Sequence, residues 1–261
     1  MTDYDTLQVR RDDRGVVRVA LNLPDSRNAL SGQMIADLTH LAGSLGAAET
    51  TRAIVLSGAG KMFCAGGDLG WMQAQIAADR ATRMAEARKL AHMLQALNEM
   101  PTPLIGQIHG AALGGGVGLA CVCDVTLAAE DTRFGLTETR LGLIPATIGP
   151  YVLARMGEGR ARRVFMSARI FGAAEAAELG IVAKAVPADG LDAAVEAEIA
   201  PYLSVAPGAV GAAKALARSL GPRIDAAVID DTIRRLADVW ETEEARHGIA
   251  AFLDKTSPRW A

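Results

Sequence analysis

The chain is short of cysteine, has no block of like charge, and has no uninterrupted apolar run long enough to cross a membrane. Its three cysteines are Cys64, Cys121 and Cys123. An odd count with a Cys-x-Cys pair suits a reducing, cytoplasmic setting better than a disulfide framework. Zinc needs further ligands at matching spacing, and the four histidines, His40, His92, His109 and His247, are scattered. No metal site is expected, and the thiols read as small buried side chains. The net charge is -3 with 22% charged residues. That balance argues against nucleic acid as a partner, although a local basic cluster could still meet a phosphorylated ligand. The longest apolar stretch, Leu104 to Ala129, is interrupted by Gln107, His109, Asp124 and several glycines. A spanning helix needs ~20 mostly apolar residues, so this stretch reads as a strand, a turn and a buried helix, with no membrane partner. The segment Met1 to Asp13 is polar and acidic, unlike a signal peptide.

What is present is core material: half of the 261 residues are apolar, enough for one large domain or a domain with an appendage. Strands are expected at Val16 to Leu21, Ala53 to Ser57, Leu104 to Ile108, Val125 to Ala128 and Ile181 to Val186. Asn22 to Ser26 reads as a loop. Ser31 is a plausible N-cap for a helix running to about Leu45. Thr82 to Met100 has helical apolar spacing and is stopped by Pro101 and Pro103. Arg160 to Met166 and Ala173 to Leu179 also look helical, with Gly180 as a stop. Beyond about Leu191 only helical patterns occur. Strands alternating with helices predict an α/β fold, divided into a core, residues 1–195, and a helical region, residues 196–261.

Two glycine clusters and one acid stand out. Gly66-Gly67-Asp68 follows a strand and a loop, and Gly114-Gly115-Gly116 follows a strand and opens a helix. Glycine allows close backbone approach, and amides at a helix N-terminus point outward unpaired. Two such turns either permit tight packing or aim two amides at one oxygen, as an oxyanion hole does. A phosphate loop fits less well, because neither G-x-x-x-x-G-K-[ST] nor G-x-G-x-x-G is present. The acid is Glu138, set between the apolar stretches of Phe134 to Pro145. It is either buried, with a raised pKa suited to proton transfer, or a surface acid paired with Arg140 or Arg133.

The ordered set of segments resembles the enoyl-CoA hydratase/isomerase, or crotonase, family. The segments are Pro24-Asp25-Ser26-Arg27-Asn28-Ala29-Leu30, Phe63-Cys64-Ala65-Gly66-Gly67-Asp68-Leu69, His109 to Gly116, Cys123-Asp124, Phe134 to Pro145 and Gly172 to Ala176. The resemblance implies a spiral of repeated β-β-α turns with a C-terminal helical trimerisation region, giving a homotrimer or a dimer of trimers. It implies that Gly67 and Gly115 supply the oxyanion amides, that Glu138 is the catalytic acid, and that the Ala146 amide helps to hold the reacting water. It assigns Arg27, Ala29, Ala65, Asp68 and Leu69 to the CoA path, joined by Phe252 and Lys255 from the tail, often across a subunit boundary. Acyl-CoA is then the substrate, and no separate cofactor is implied.

One departure narrows the chemistry. Two-acid hydratases of the family carry a glutamate two residues after the third glycine, where this chain has Gly118. The usual proline before the second glutamate is Thr137, and the usual Pro-Gly-x-Gly-Gly is Pro145-Ala146-Thr147-Ile148-Gly149. A glycine side chain cannot activate water, so Glu138 is left to hydrate a 2-enoyl-CoA alone, or to shift a 3-enoyl double bond to the 2-position. A homologue that binds acyl-CoA with little turnover and a carrier-protein thioesterspecific variant are the other readings. The segments around Gly118, Glu138 and Ala146 resemble the subgroup that hydrates 3-methylglutaconyl-CoA and isohexenylglutaconyl-CoA types. Such branched, dicarboxylic substrates would suit an arginine in the pocket, Arg140 or Arg155, and extra room at Gly118. Pocket walls are expected from distant segments such as Trp71, Met72 and Phe165.

Overall fold

The computed structural model describes residues 3–48 and 50–261, so the polar start read at Met1 and Thr2 lies partly outside the described residues. The strands are β1 (Leu7–Arg11), β2 (Val16–Leu21), β3 (Ala53–Gly58), β4 (Leu104–Ile108), β5 (Ala111–Leu113), β6 (Val125–Ala129), β7 (Arg133–Gly135), β8 (Ile170–Gly172) and β9 (Lys184–Val186). The helices are α1 (Gly32–Ser44), α2 (Leu69–Ala77), α3 (Arg80–Glu99), α4 (Gly115–Val122), α5 (Gly149–Met156), α6 (Glu158–Phe165), α7 (Ala173–Glu178), α8 (Leu191–Ile199), α9 (Pro207–Leu220), α10 (Ala226–Trp240) and α11 (Glu243–Leu253).

A six-stranded sheet runs β1-β2-β3-β4-β6-β9, parallel throughout except for the β1–β2 pair. A second, smaller sheet holds β5, β7 and β8. Isolated parallel bridges, Leu30 to Gly67 and Cys64 to Ala112, extend its line back through the earlier turns. Each turn of the chain therefore places a long strand in one sheet, a short one in the other, and then a helix. This is the β-β-α spiral. Alternation along the long strands feeds two cores. Val17, Val19, Leu21, Ile54 and Leu56 face the main core, while Val16, Val55, Ile105 and Leu127 pack against Leu191, Val195 and Ile199 of α8.

Local signals account for most boundaries. Ser31 caps α1 by accepting from the Met34 amide, as its type predicts. The helix expected from Thr82 begins at Arg80, because the Asp79 carboxylate accepts from the Thr82 amide at 2.8 Å. The strand expected over 181–186 shrinks to β9. Ile181 and Val182 are buried, but in the turn after α7, where both amides donate to the Ala176 carbonyl. β1 and α2 were not expected. β1 is an edge strand that buries only Leu7, and α2 buries only Met72 and Gln75, so neither carries a strong periodic signal. The boundary expected after residue 195 falls inside α8, which belongs to the sheet; the chain leaves the sheet only at about residue 200.

The tail folds back over the spiral. Ile229 and Ile233 of α10 pack on Ala87 and Ala91 of α3. Trp240, Ala245 and Ile249 pack with Met72 and Leu143. Among the described residues no helix is long and apolar enough to cross a membrane. The three cysteines are unbonded and buried, and burial pushes each thiol up to about 12.

Candidate active site

The two glycine turns meet across the spiral. Main-chain bonds lace them together: Cys64 N–H donates to Ala111 O, and Leu113 N–H donates back to Cys64 O, at 3.1 and 3.0 Å. The Gly66 carbonyl accepts from Leu30 N–H at 2.7 Å, and Asp68 N–H donates to Leu30 O. Gly66 (φ +96) and Gly114 (φ +48) hold left-handed conformations that a side chain would strain. A Cβ added to Gly66 would lie 2.9 Å from Leu113 O and 3.7 Å from Gly115 N, which measures how closely the turns approach. Neither the Gly67 amide nor the Gly115 amide donates to any acceptor among the described residues. The Gly115 amide also opens α4, with the positive end of that helix behind it. Two free donors from adjacent turns have the form of an oxyanion hole.

At its other end α4 is anchored by Arg155. The guanidinium donates to the carbonyls of Cys121, Cys123 and Asp124. A cation at a helix C-terminus is favourable, and here it fixes the helix that presents Gly115. Arg155 is thereby committed to main chain and lies outside the cavity that the glycine turns line, contrary to its expected role. Arg140 is exposed and donates to Ala168 O at 3.3 Å, so it too stays outside.

Glu138 begins a single 3-10 turn, Glu138–Leu141, closed by Gly142 in the left-handed region. Its Oε1 would stand 3.2 Å from a Cβ on Gly114, so the acid leans over the second glycine turn. Its Oε2 is sealed from solvent and has no hydrogen-bond partner. Among the described residues no cation pairs with it, which removes the surface-acid reading. Burial pushes its pKa up to about 7, opposed weakly by a hydrogen bond from its own amide. A carboxylate so placed is divided between its two forms near neutral pH, as a group that accepts and returns a proton should be. The turn is held from outside by α11: a Cβ on Gly248 would come 2.5 Å from Leu141 O.

Both glycine turns and Glu138 line one cavity of about 160 Å³. Its walls are mainly apolar, from Trp71 and Met72 of α2, Leu90 of α3, Leu143 and Ile144, and Trp240 of α10. No Lys or Arg lines it among the described residues. Of the expected residues, Ala65, Gly67, Gly115, Glu138, Ala146 and Phe252 come together here. Phe252 reaches the cavity of its own chain. Phe165 does not line it and packs beside Gly149 instead. Arg27, Ala29, Leu69 and Lys255 also lie outside it. Arg27 is exposed, Leu69 is 52% exposed and Ala29 is buried. Lys255 is exposed in the turn after α11. Asp68 has a structural duty: its carboxylate caps α2 by accepting from Trp71 N–H at 2.9 Å.

Two further expectations are corrected. The Ala146 amide is not open; it donates to Ile144 O at 2.8 Å in a tight turn across Pro145. Gly118 does not open room for substrate either. A Cβ there would lie 2.9 Å from Ile148 Cβ and closer still to Ile148 Cγ2, so Ile148 has taken the space. Sequence reasoning also missed Asn28. It is fully buried at φ 54, accepts from Leu23 N–H, and donates to Ala59 O and Met62 O, which pins the loop beside Arg27. An Asn inside a polar turn was the available signal, since Asn tolerates left-handed backbone.

The comparisons with known proteins agree with this geometry. Residues 11–261 match the family described as enoyl-CoA hydratase/isomerase. The enoyl-CoA hydratase ACTT6 of Alternaria alternata is 33% identical over 252 residues, 95% of this chain and 80% of that protein. The crystal structure of an enoyl-CoA hydratase from Shewanella pealeana superposes with a TM-score of 0.81 at 36% identity, covering 99% of this chain and 97% of that one. AtuE of Pseudomonas aeruginosa gives 0.79 at 38% identity, covering 98% and 100%.

Proposed function

The chain belongs to the enoyl-CoA hydratase/isomerase family, and within that family we propose that it adds water to a branched 2-enoyl-CoA, with Glu138 as the only acid. The observation that carries this is the juxtaposition of a carboxylate whose Oε2 is sealed and without a partner with two free amides in one largely apolar cavity. The amides of Gly67 and Gly115 donate to the thioester oxygen. As hydroxide adds to the β-carbon, the π electrons move towards that oxygen, and the enolate charge is met by the two N–H groups and the α4 dipole. The water O–H bond breaks and its proton goes to Glu138, which returns it to the α-carbon. The reaction therefore starts from the ionised carboxylate and regenerates it.

The segments around Gly118, Glu138 and Ala146 support a branched or dicarboxylic acyl group through their resemblance to the methylglutaconyl-CoA type. The apolar wall, free of Lys and Arg, favours the branch over a second carboxylate. Arg27 is an exposed arginine whose side chain makes no hydrogen bond to the described residues, suited to the CoA phosphates, with Leu69, Phe252 and Lys255 on the same path. Assembly into a trimer, or two paired trimers, follows from the same resemblance.

Isomerisation of a 3-enoyl-CoA uses the same groups and is the second reading, favoured by the lack of an acid at position 118. Incubation with crotonyl-CoA, 3-methylcrotonyl-CoA, 3-methylglutaconyl-CoA and a 3-enoyl-CoA, read by mass, separates them. Hydration adds one water, whereas isomerisation leaves the mass unchanged and moves the double bond. Gain of water with the branched substrate is the expected result. Turnover of the 3-enoyl-CoA alone would replace hydratase with isomerase.

A further inference from the structure

We propose that Thr147 is the second group that holds the reacting water, in place of the acid that position 118 does not carry; this rests on the hydratase reading. A single carboxylate can move the proton, but it does not by itself fix where the water oxygen sits. Attack on the β-carbon needs a lone pair aimed along one line, so a second hydrogen-bonding group has a clear use. The obvious sources are gone. Gly118 has no side chain, and the Ala146 amide is occupied by Ile144 O.

The wall that fills the gap points to the replacement. Ile148 stands where a side chain from position 118 would project. The residue before it, Thr147, is only 8% exposed and lines the same cavity as Glu138. Its hydroxyl makes no hydrogen bond among the described residues, yet it is not one of the polar atoms sealed from solvent, as Glu138 Oε2 is. A buried hydroxyl left without a protein partner but open to a cavity is satisfied by a water there. Among the described residues, the only hydroxyl or carboxyl side chains on the cavity besides Glu138 are those of Thr147 and Thr137. Thr147 belongs to the segment that replaces the missing acid, whereas Thr137 precedes the acid that remains.

The division of labour follows from the chemistry of each group. Near neutral pH a threonine hydroxyl neither takes nor gives up a proton, so Thr147 accepts one hydrogen bond from the water and orients it. Glu138 accepts the other hydrogen as a proton while the water oxygen bonds to the β-carbon. The enolate electrons rest on the thioester oxygen at Gly67 and Gly115. The proton then passes from Glu138 to the α-carbon, and no other reactant is needed.

Two rates separate this role from general damage. Hydration needs the water, whereas exchange of the α-hydrogens of a saturated acyl-CoA with D2O needs only Glu138 and the oxyanion hole. Thr147→Val keeps the side-chain shape; its hydration kcat should fall about tenfold to a hundredfold, the worth of one such hydrogen bond. KM and α-hydrogen exchange should stay within about threefold, and Thr147→Ser should restore most of the hydration rate. Thr137→Val, at the other hydroxyl on the cavity, should lower hydration less than Thr147→Val does; the reverse order would overturn the assignment. Should Thr147→Val fail to fold, the Ser and Ala variants make the same comparison. Equal hydration with and without the hydroxyl, or a parallel fall in both rates, would overturn the assignment. A parent enzyme that exchanges α-hydrogens but hydrates none of the substrates would instead overturn the hydratase reading.

Discussion

The Gly67 and Gly115 amides and the Glu138 carboxylate face one cavity, but the protein holds them by different means. Gly67 and Gly115 are fixed by main-chain bonds between consecutive turns of the spiral, and Arg155 clamps the far end of α4. Their donor strength is a property of the backbone. The Oε2 of Glu138 has no partner among the described residues, and the acid's chemical state is set by burial under a turn that α11 presses into place. The amide half is therefore rigid and electrically constant, while the acid half is tunable from outside the active site.

The hardest test of the acid half is Glu138→Gln. It should lower hydration kcat about 10²- to 10⁴-fold, the usual range for a general acid–base group, with thioester binding retained. A loss under about tenfold, ~1.4 kcal/mol in barrier, would remove Glu138 from the centre of the mechanism. The same variant has a stability signature. The folded pKa is raised from 4.5 to about 7, so the native state binds more protons between those values. The contribution is present below pH 4.5 and lost as pH rises through about 7, on the order of 3 kcal/mol. Denaturant unfolding at pH 5 and pH 8 should show that difference in the parent and lose it in Glu138→Gln.

The amide half should break at Gly66→Ala. The new Cβ would meet Leu113 O at 2.9 Å from a left-handed backbone, so the turn must shift. Displacing one oxyanion donor should lower kcat about 10²-fold while leaving the pH midpoint near 7. If the midpoint moved as far as the rate fell, the two halves would not be separable as described.

A smaller effect tests the link from tail to acid. Gly248→Ala would force α11 away from the Leu141 carbonyl. Glu138 should then be better hydrated, and the acid limb of the kcat/KM profile, which reports the free enzyme, should move to lower pH than in the parent. Activity that fell with no change in that limb would assign α11 a purely structural role. The smallest effect is expected at Arg27→Ala, outside the cavity. KM for acyl-CoA should rise several-fold, about 1 kcal/mol, with kcat unchanged, as the loss of an exposed phosphate contact predicts.

Much of this was legible in the sequence, and the misses share a physical origin. Ser31, the two glycine turns and Glu138 announced themselves because caps, left-handed turns and an isolated acid are local features. β1, α2 and the short strands of the second sheet did not, because a three-residue strand such as β5 has no period to read. The room expected at Gly118 was wrong for a similar reason. A missing side chain looks like space in a sequence, whereas a packed interior closes over it, here with Ile148. Arg155 was read by charge and Asp68 by resemblance, and the fold spends both on helix ends.

The sequence by itself determined the family, the alternation of the long strands with helices, the presence of two glycine turns, and the lack of an acid at position 118. These depend on residue identity and on neighbours close along the chain. Only the tertiary structure decided that the Gly67 and Gly115 amides are both free, that burial lifts Glu138 to about 7, that the Ala146 amide is taken, and that Thr147 opens on the cavity. Those are properties of what surrounds each group. Here the surroundings come from segments as distant as α2, α10 and α11, whose approach is set by packing and not by spacing along the chain.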